Sequence, residues 1–134
     1  MSDTKKILIF EDNDLNLKLF CDLLESNNYA VVKSADGIDA LNLVTKEMPD
    51  LILMDIQLPE ISGFDITKIL KANDTTKHIP IIAVTAFAMK DDEELILSSG
   101  CQDYISKPIS ITPFLAKIKF YLDKHQDSES KHDS

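Results

Sequence analysis

The chain has no arginine and no tryptophan, only two cysteines, and no apolar run near the roughly 20 residues that span a bilayer. Each absence excludes something. Without arginine its cations are 14 lysines set against 23 acidic residues, and a net charge of −9 repels nucleic acid and anionic lipid alike. The sequence therefore argues against nucleic-acid and membrane partners. Cys21 and Cys101 form no CxxC pair and read as buried free thiols. His78, His125 and His132 fall in no HExxH or mixed His/Cys cluster, which speaks against zinc. The polar start, Met1 to Lys6, lacks the apolar core of a secretory signal and points to the cytoplasm. What remains, 134 residues with 44% hydrophobic and 28% charged side chains, suits one soluble globular domain.

Short β-branched runs alternate with longer helical stretches, the signature of parallel strands joined by crossover helices. The strands are predicted at Lys6–Glu11, Ala30–Ser34, Leu51–Asp55, Ile81–Thr85 and Asp103–Ser106. The cores of the first, third and fourth, ILIF, LILM and IIAV, are wholly apolar, as in strands covered on both faces. The second and fifth are mixed and suit the edges. Five helices fit between and after them. Leu15, Leu19, Leu23 and Leu17, Phe20, Cys21, Leu24 make two adjacent apolar rows in the first. Ala40 to Val44 mark the second, ended by Met48–Pro49–Asp50, and Gly63 to Asn73 the third. Lys90 to Ser99 form the fourth, with an acidic first turn (Asp91 to Glu94) that suits the positive end of its dipole and a stop at Gly100. Thr112 is placed to cap the fifth, with Pro113 at its first position. The end, HQDSESKHDS (125–134), has no aliphatic or aromatic residue and is expected to be a disordered tail. The result is a (βα)5 α/β unit, a doubly wound parallel sheet for which the flavodoxin-like order 2-1-3-4-5 is favoured.

Such sheets gather ligands at the carboxyl ends of their strands, beside the switch in strand order. Glu11 and Asp12 end the first strand there and Asp55 the third. Neighbouring strands are about 4.8 Å apart, so these three carboxylates repel unless protonated or bridged by a cation. A hard divalent ion, Mg²⁺ (or Mn²⁺), resolves the conflict. Thr85 closes the fourth strand and Lys107 follows the fifth. A hydroxyl and an ammonium facing a metal-bound carboxylate make a receptor for a phosphoryl group.

The segments ILIFEDN, ADGIDAL, PDLILMDIQLPEISGFD, IPIIAVTAFA and GCQDYISKPI resemble, in order and spacing, those of response-regulator receiver domains, the CheY-like superfamily. The resemblance runs from Lys5 to Lys124. It implies that Asp55 is the phosphoacceptor, Glu11 and Asp12 the acid pair, and Thr85 and Lys107 the switch pair. It further implies a metal bound by Asp12, Asp55 and the backbone carbonyl of Gln57, with Glu11 acting mostly through water. A cis Lys107–Pro108 bond and an aromatic switch at Tyr104 follow from it too. NDLNLKLFCDLLE, DIQLPEISG, AVTAFAMK and YISKPIS are similar to DivK-type single-domain regulators of bacterial cell division.

On that resemblance the chain is expected to be no enzyme, but a switch that catalyses only its own phosphorylation and hydrolysis. Its donors are histidine kinases or phosphotransfer proteins. Its readers are protein targets that bind the face of the fourth helix, fifth strand and fifth helix, with Phe87, Met89, Tyr104 and Pro108 on that face. It works as a monomer or weak dimer. An aspartyl-phosphate phosphatase would carry DxDx[TV] after its first strand, where this chain has EDNDL. A flavodoxin-like FMN carrier needs a phosphate loop there, which acidic EDND repels. The remaining alternative is a receiver excised from a hybrid kinase or multidomain regulator, although Met1 so near the first strand reads as a natural start.

Overall fold

In the computed structural model the described residues are 4–35, 37–58, 61–86 and 90–133, without the side chains of 90–92 and 124–133. Strand and helix alternate along the chain as β1 (Lys6–Phe10), α1 (Asp14–Ser26), β2 (Ala30–Ser34), α2 (Ala40–Glu47) and β3 (Leu51–Asp55). They continue as α3 (Gly63–Ala72), β4 (Ile81–Thr85), α4 (Lys90–Ser98), β5 (Asp103–Ser106) and α5 (Ile111–Asp133). The sheet is parallel with order β2-β1-β3-β4-β5, the order expected from the sequence.

Successive strand residues point to opposite faces, and here both faces are apolar. Leu8, Phe10, Ile52, Met54, Ile81 and Ala83 pack under Ala40 and Val44 of α2, Ile66 and Leu70 of α3, and Ile96 of α4. Ile7, Ile9, Leu51, Leu53, Ile82 and Val84 pack under Phe20 and Leu24 of α1 and Phe114, Ile118 and Leu122 of α5. Phe20 and Phe114 stack with centroids 5.4 Å apart, tying α1 to α5. This double cover is why the three central strands read as unbroken apolar runs. In α1 only one of the two predicted apolar rows is buried: Phe20, Cys21 and Leu24 face the sheet, whereas Leu15 is 80% exposed. Among the described residues no helix is long and apolar enough to cross a membrane.

Helix ends set where the functional side chains emerge. Asn13 caps α1, its side chain accepting from the Asn16 amide at 3.0 Å, so the chain turns immediately after Glu11 and Asp12. Ser62 caps α3 in the same way through the Phe64 amide. Met48 (φ 43°) ends α2 in the left-handed region, and Gly100 (φ 110°) follows α4 where a side chain would be strained.

One expectation for α5 is corrected. The Ser110 carbonyl accepts from the Phe114 amide at 3.0 Å, so the helix starts at Ile111 rather than after a Thr112 cap, and Pro113 sits third. The proline fits there because amides of the first turn have no intrahelical acceptor in any case. The helical backbone of α5 continues to Asp133. A helix already nucleated and packed through Phe114, Ile118 and Leu122 extends without a second nucleation step.

Candidate functional site

The carboxyl ends of β1, β3, β4 and β5 converge as predicted. Glu11 follows β1, its amide donating to the Ser34 carbonyl at 3.0 Å, and its side chain is 1% exposed. Asp55 closes β3 and is equally buried, while Asp12 faces solvent. Carboxylate oxygens of Glu11, Asp12 and Asp55 all lie within 4.8 Å of one another. Lys107 reaches this cluster from beyond β5: its ammonium is 3.1 Å from Glu11 Oε1 and 3.4 Å from Asp55 Oδ2. The Lys107 amide donates to the Thr85 carbonyl at 2.8 Å, which fixes the lysine beside the end of β4. Thr85 is buried and pairs with Ser106 in the sheet register. The Lys107–Pro108 peptide is cis.

One ammonium does not balance three carboxylates. Burial, then repulsion from Asp55, push the Glu11 carboxyl above its ordinary pKa, although bonds from the Asn13 amide and Lys107 pull the other way. Glu11 Oε1 is buried and, among the described residues, accepts no hydrogen bond of acceptable geometry despite its ion pair with Lys107. An all-oxygen set with surplus negative charge and an under-satisfied buried oxygen fits a hard divalent cation. The Gln57 amide donates to Asp55 Oδ1 at 2.9 Å, placing that residue's backbone against the central carboxylate.

Tyr104 lies at the periphery, half-buried on the α4 side of the sheet, its hydroxyl donating to Glu93 Oε1 at 2.7 Å. It borders a cleft of about 280 Å³ with Ser106, Pro108, Phe114 and Lys117. Phe87 and Met89, predicted on the same face, lie outside the described residues.

Two site-supporting residues escaped the sequence reading. Gly63 starts α3 directly behind Asp55: an added Cβ would meet the Asp55 carbonyl and the Ile56 Cα, the latter at 2.8 Å. A glycine opening a helix so soon after the central acid was the available signal. Glu93 was read only as part of an acidic first turn, and nothing in sequence spacing ties it to Tyr104 on the next strand.

The profile of the response regulator receiver domain matches residues 7–119. The chain is 57% identical over 118 residues to the polar-differentiation response regulator DivK of Brucella anthropi, covering 88% of this chain and 96% of that one. Against the Brucella ovis protein of the same name the identity is 56% over 119 residues, with 89% and 97% covered. Among solved structures, the receiver domain of a Pseudomonas aeruginosa sensor histidine kinase, with a magnesium ion coordinated in its active site cleft, superposes with a TM-score of 0.83. It is 33% identical and the match covers 90% of this chain and 98% of that one. A CheY-like receiver protein from Methanospirillum hungatei gives a TM-score of 0.84 at 30% identity, covering 94% and 99%. With the strand order, the convergent acids and these relatives in agreement, this chain belongs to the response-regulator receiver family.

Proposed function

We propose that the protein is a DivK-type response regulator that accepts a phosphoryl group on Asp55 and signals by direct protein contact in bacterial cell-division control. The observation that carries this reading is the buried Asp55 carboxylate, flanked by Glu11, Asp12 and the Lys107 ammonium at the carboxyl ends of the sheet. Relatives named for a polar-differentiation regulator, matched over nearly their whole length, support the single-domain form over a receiver cut from a hybrid kinase.

Asp12 and Asp55, with the Gln57 backbone, would hold Mg²⁺, and Glu11 would act through bound water. The ion would supply charge neutralisation at the phosphoryl oxygens. The chain's own residues do the rest. An Asp55 oxygen attacks the phosphorus of a donor phosphohistidine, the new O–P bond forming as the N–P bond breaks and the imidazole leaves. Lys107 shifts from its carboxylate partners to a phosphoryl oxygen, and the Thr85 hydroxyl donates to another. Water later cleaves the acyl phosphate. The protein catalyses only these steps on itself.

Histidine kinases or phosphotransfer proteins are the donors, and the α4–β5–α5 face is the readout surface. Large apolar side chains left exposed on the two helices of that face, Leu95 and Leu97 on α4 and Phe120 on α5, support this assignment. The test is acid-labile labelling from a cognate kinase or a small phosphodonor. Asp55→Asn, nearly isosteric, is expected to abolish labelling while the fold survives. Undiminished single-site labelling of that variant would place the phosphoacceptor elsewhere.

A further inference from the structure

Tyr104 is held from outside. Its hydroxyl donates to the Glu93 carboxylate at 2.7 Å, a charge-assisted bond between β5 and α4. The bond raises the pKa of the tyrosine hydroxyl, as expected when a donor faces an anion. The Lys117 ammonium, 5.7 Å from the ring centroid, is anchored on Asp103 (3.2 Å) and the Tyr104 carbonyl (3.0 Å), so it engages the ring but not the hydroxyl.

The sheet register gives this bond a consequence. Ala83 pairs with Tyr104 and Thr85 with Ser106. Residues two apart share a face, and Ala83 and Tyr104 belong to the core covered by Ile96 of α4. Thr85 and Tyr104 are therefore diagonal neighbours on one face, separated by one strand spacing and two residues of rise, roughly 8 Å between backbones, a gap that an aromatic side chain can bridge. Ala83, directly opposite Tyr104 in the register, presents only a methyl group beside the ring. A ring that turns toward Thr85 has to release Glu93.

We propose that Glu93 is a positioning residue that holds Tyr104 outward and so sets how readily occupation of the Asp55 site reshapes the α4–β5 surface. This rests on the phospho-switch reading of Asp55. Any ligand at that site that favours the inward ring binds more weakly by the free energy of the bond it breaks, since a ligand shifts a two-state equilibrium only through its differential affinity.

The experiment titrates the full chain with beryllofluoride in Mg²⁺ and follows backbone amide resonances of α4 and β5. Glu93→Ala and Tyr104→Phe are each expected to bind about 5–10-fold more tightly than wild type, within the usual range of allosteric coupling. Glu93→Gln, which keeps a neutral acceptor, falls between. The double variant Glu93→Ala/Tyr104→Phe binds no tighter than either single, because both remove the same bond. Tyr104→Phe leaves α4 untouched and preserves the test if Glu93→Ala weakens that helix. Unchanged affinity in both single variants, or gains that add in the double, overturns the role of Glu93. Absence of Asp55-dependent binding in the wild type overturns the phospho-switch reading and this inference with it.

Discussion

Gly63 lies so close to the backbone of Asp55 that a Cβ added to it would strike the Asp55 carbonyl, so the start of α3 packs against the main chain that carries the central acid. The Gly63 amide closes the turn by donating to the Ile56 carbonyl at 3.1 Å. No flexible side chain can yield here, because the atoms a methyl would strike are backbone. Gly63→Ala is therefore expected to push Asp55 out of place and to destabilise the protein by about 1–3 kcal/mol, the usual size of overpacking. Chemical denaturation checks the stability, and phosphodonor labelling checks the displaced carboxylate. Wild-type values in both would show that the turn absorbs the methyl.

Glu11 concentrates the conflict in the site. Burial and Asp55 raise its pKa, so its charged form is disfavoured in the fold relative to the unfolded chain. In the absence of divalent ions, Glu11→Gln should accordingly be more stable than wild type at neutral pH. A gain of ~1 kcal/mol moves the melting midpoint by about 4 °C in a domain of this size. The sign is testable by pH. A raised folded-state pKa means the wild-type fold takes up its proton before the unfolded chain does, so the advantage of the variant shrinks as pH falls toward the ordinary carboxylate range. A gap that widens on acidification would contradict the assignment.

A divalent ion that relieves the same repulsion should raise thermal stability as RT ln(1 + c/Kd), where c is the free Mg²⁺ concentration, a rise that continues with the logarithm of c. Asp12→Ala is expected to lose most of that shift upon addition of Mg²⁺. Asp12 is exposed, so its removal costs the fold little and the comparison reads binding rather than folding. A full Mg²⁺ shift in the variant would place the ion elsewhere.

Much of this architecture was legible because the sequence states it twice. Unbroken apolar runs such as LILM imply a strand covered on both faces, and their spacing fixes the helices between. The acids were legible because strand polarity sends Glu11, Asp12 and Asp55 to the same end of the sheet. Contacts made by tertiary packing were not. The Tyr104–Glu93 bond joins residues whose separation carries no periodic signal, and the clearance behind Asp55 depends on how closely α3 approaches. The start of α5 was misplaced because a proline in the first turn is compatible with several positions, and only the Ser110 carbonyl bond selects one.

Lys107 separates the chemistry of the site from its conformational response. Its ammonium is 3.1 Å from Glu11 and 3.4 Å from Asp55, both almost wholly buried. Removing it leaves two buried carboxylates with less compensation, and breaking a buried pair from one side costs about 3–5 kcal/mol. Part of that cost is relieved here because the lysine side chain is itself 19% exposed, which admits water once it is gone. Lys107→Ala should thus lower stability in metal-free buffer by about 2–3 kcal/mol, below that range. Mg²⁺ should restore more stability to the variant than to wild type, because the ion takes over charge the lysine had balanced. Labelling of Asp55 should persist, since the lysine is not the nucleophile. Beryllofluoride-induced amide shifts in α4 and β5 should shrink, since no ammonium remains to draw the bound group toward β5. A variant whose shifts equal the wild type's would limit Lys107 to a structural counter-ion of Glu11.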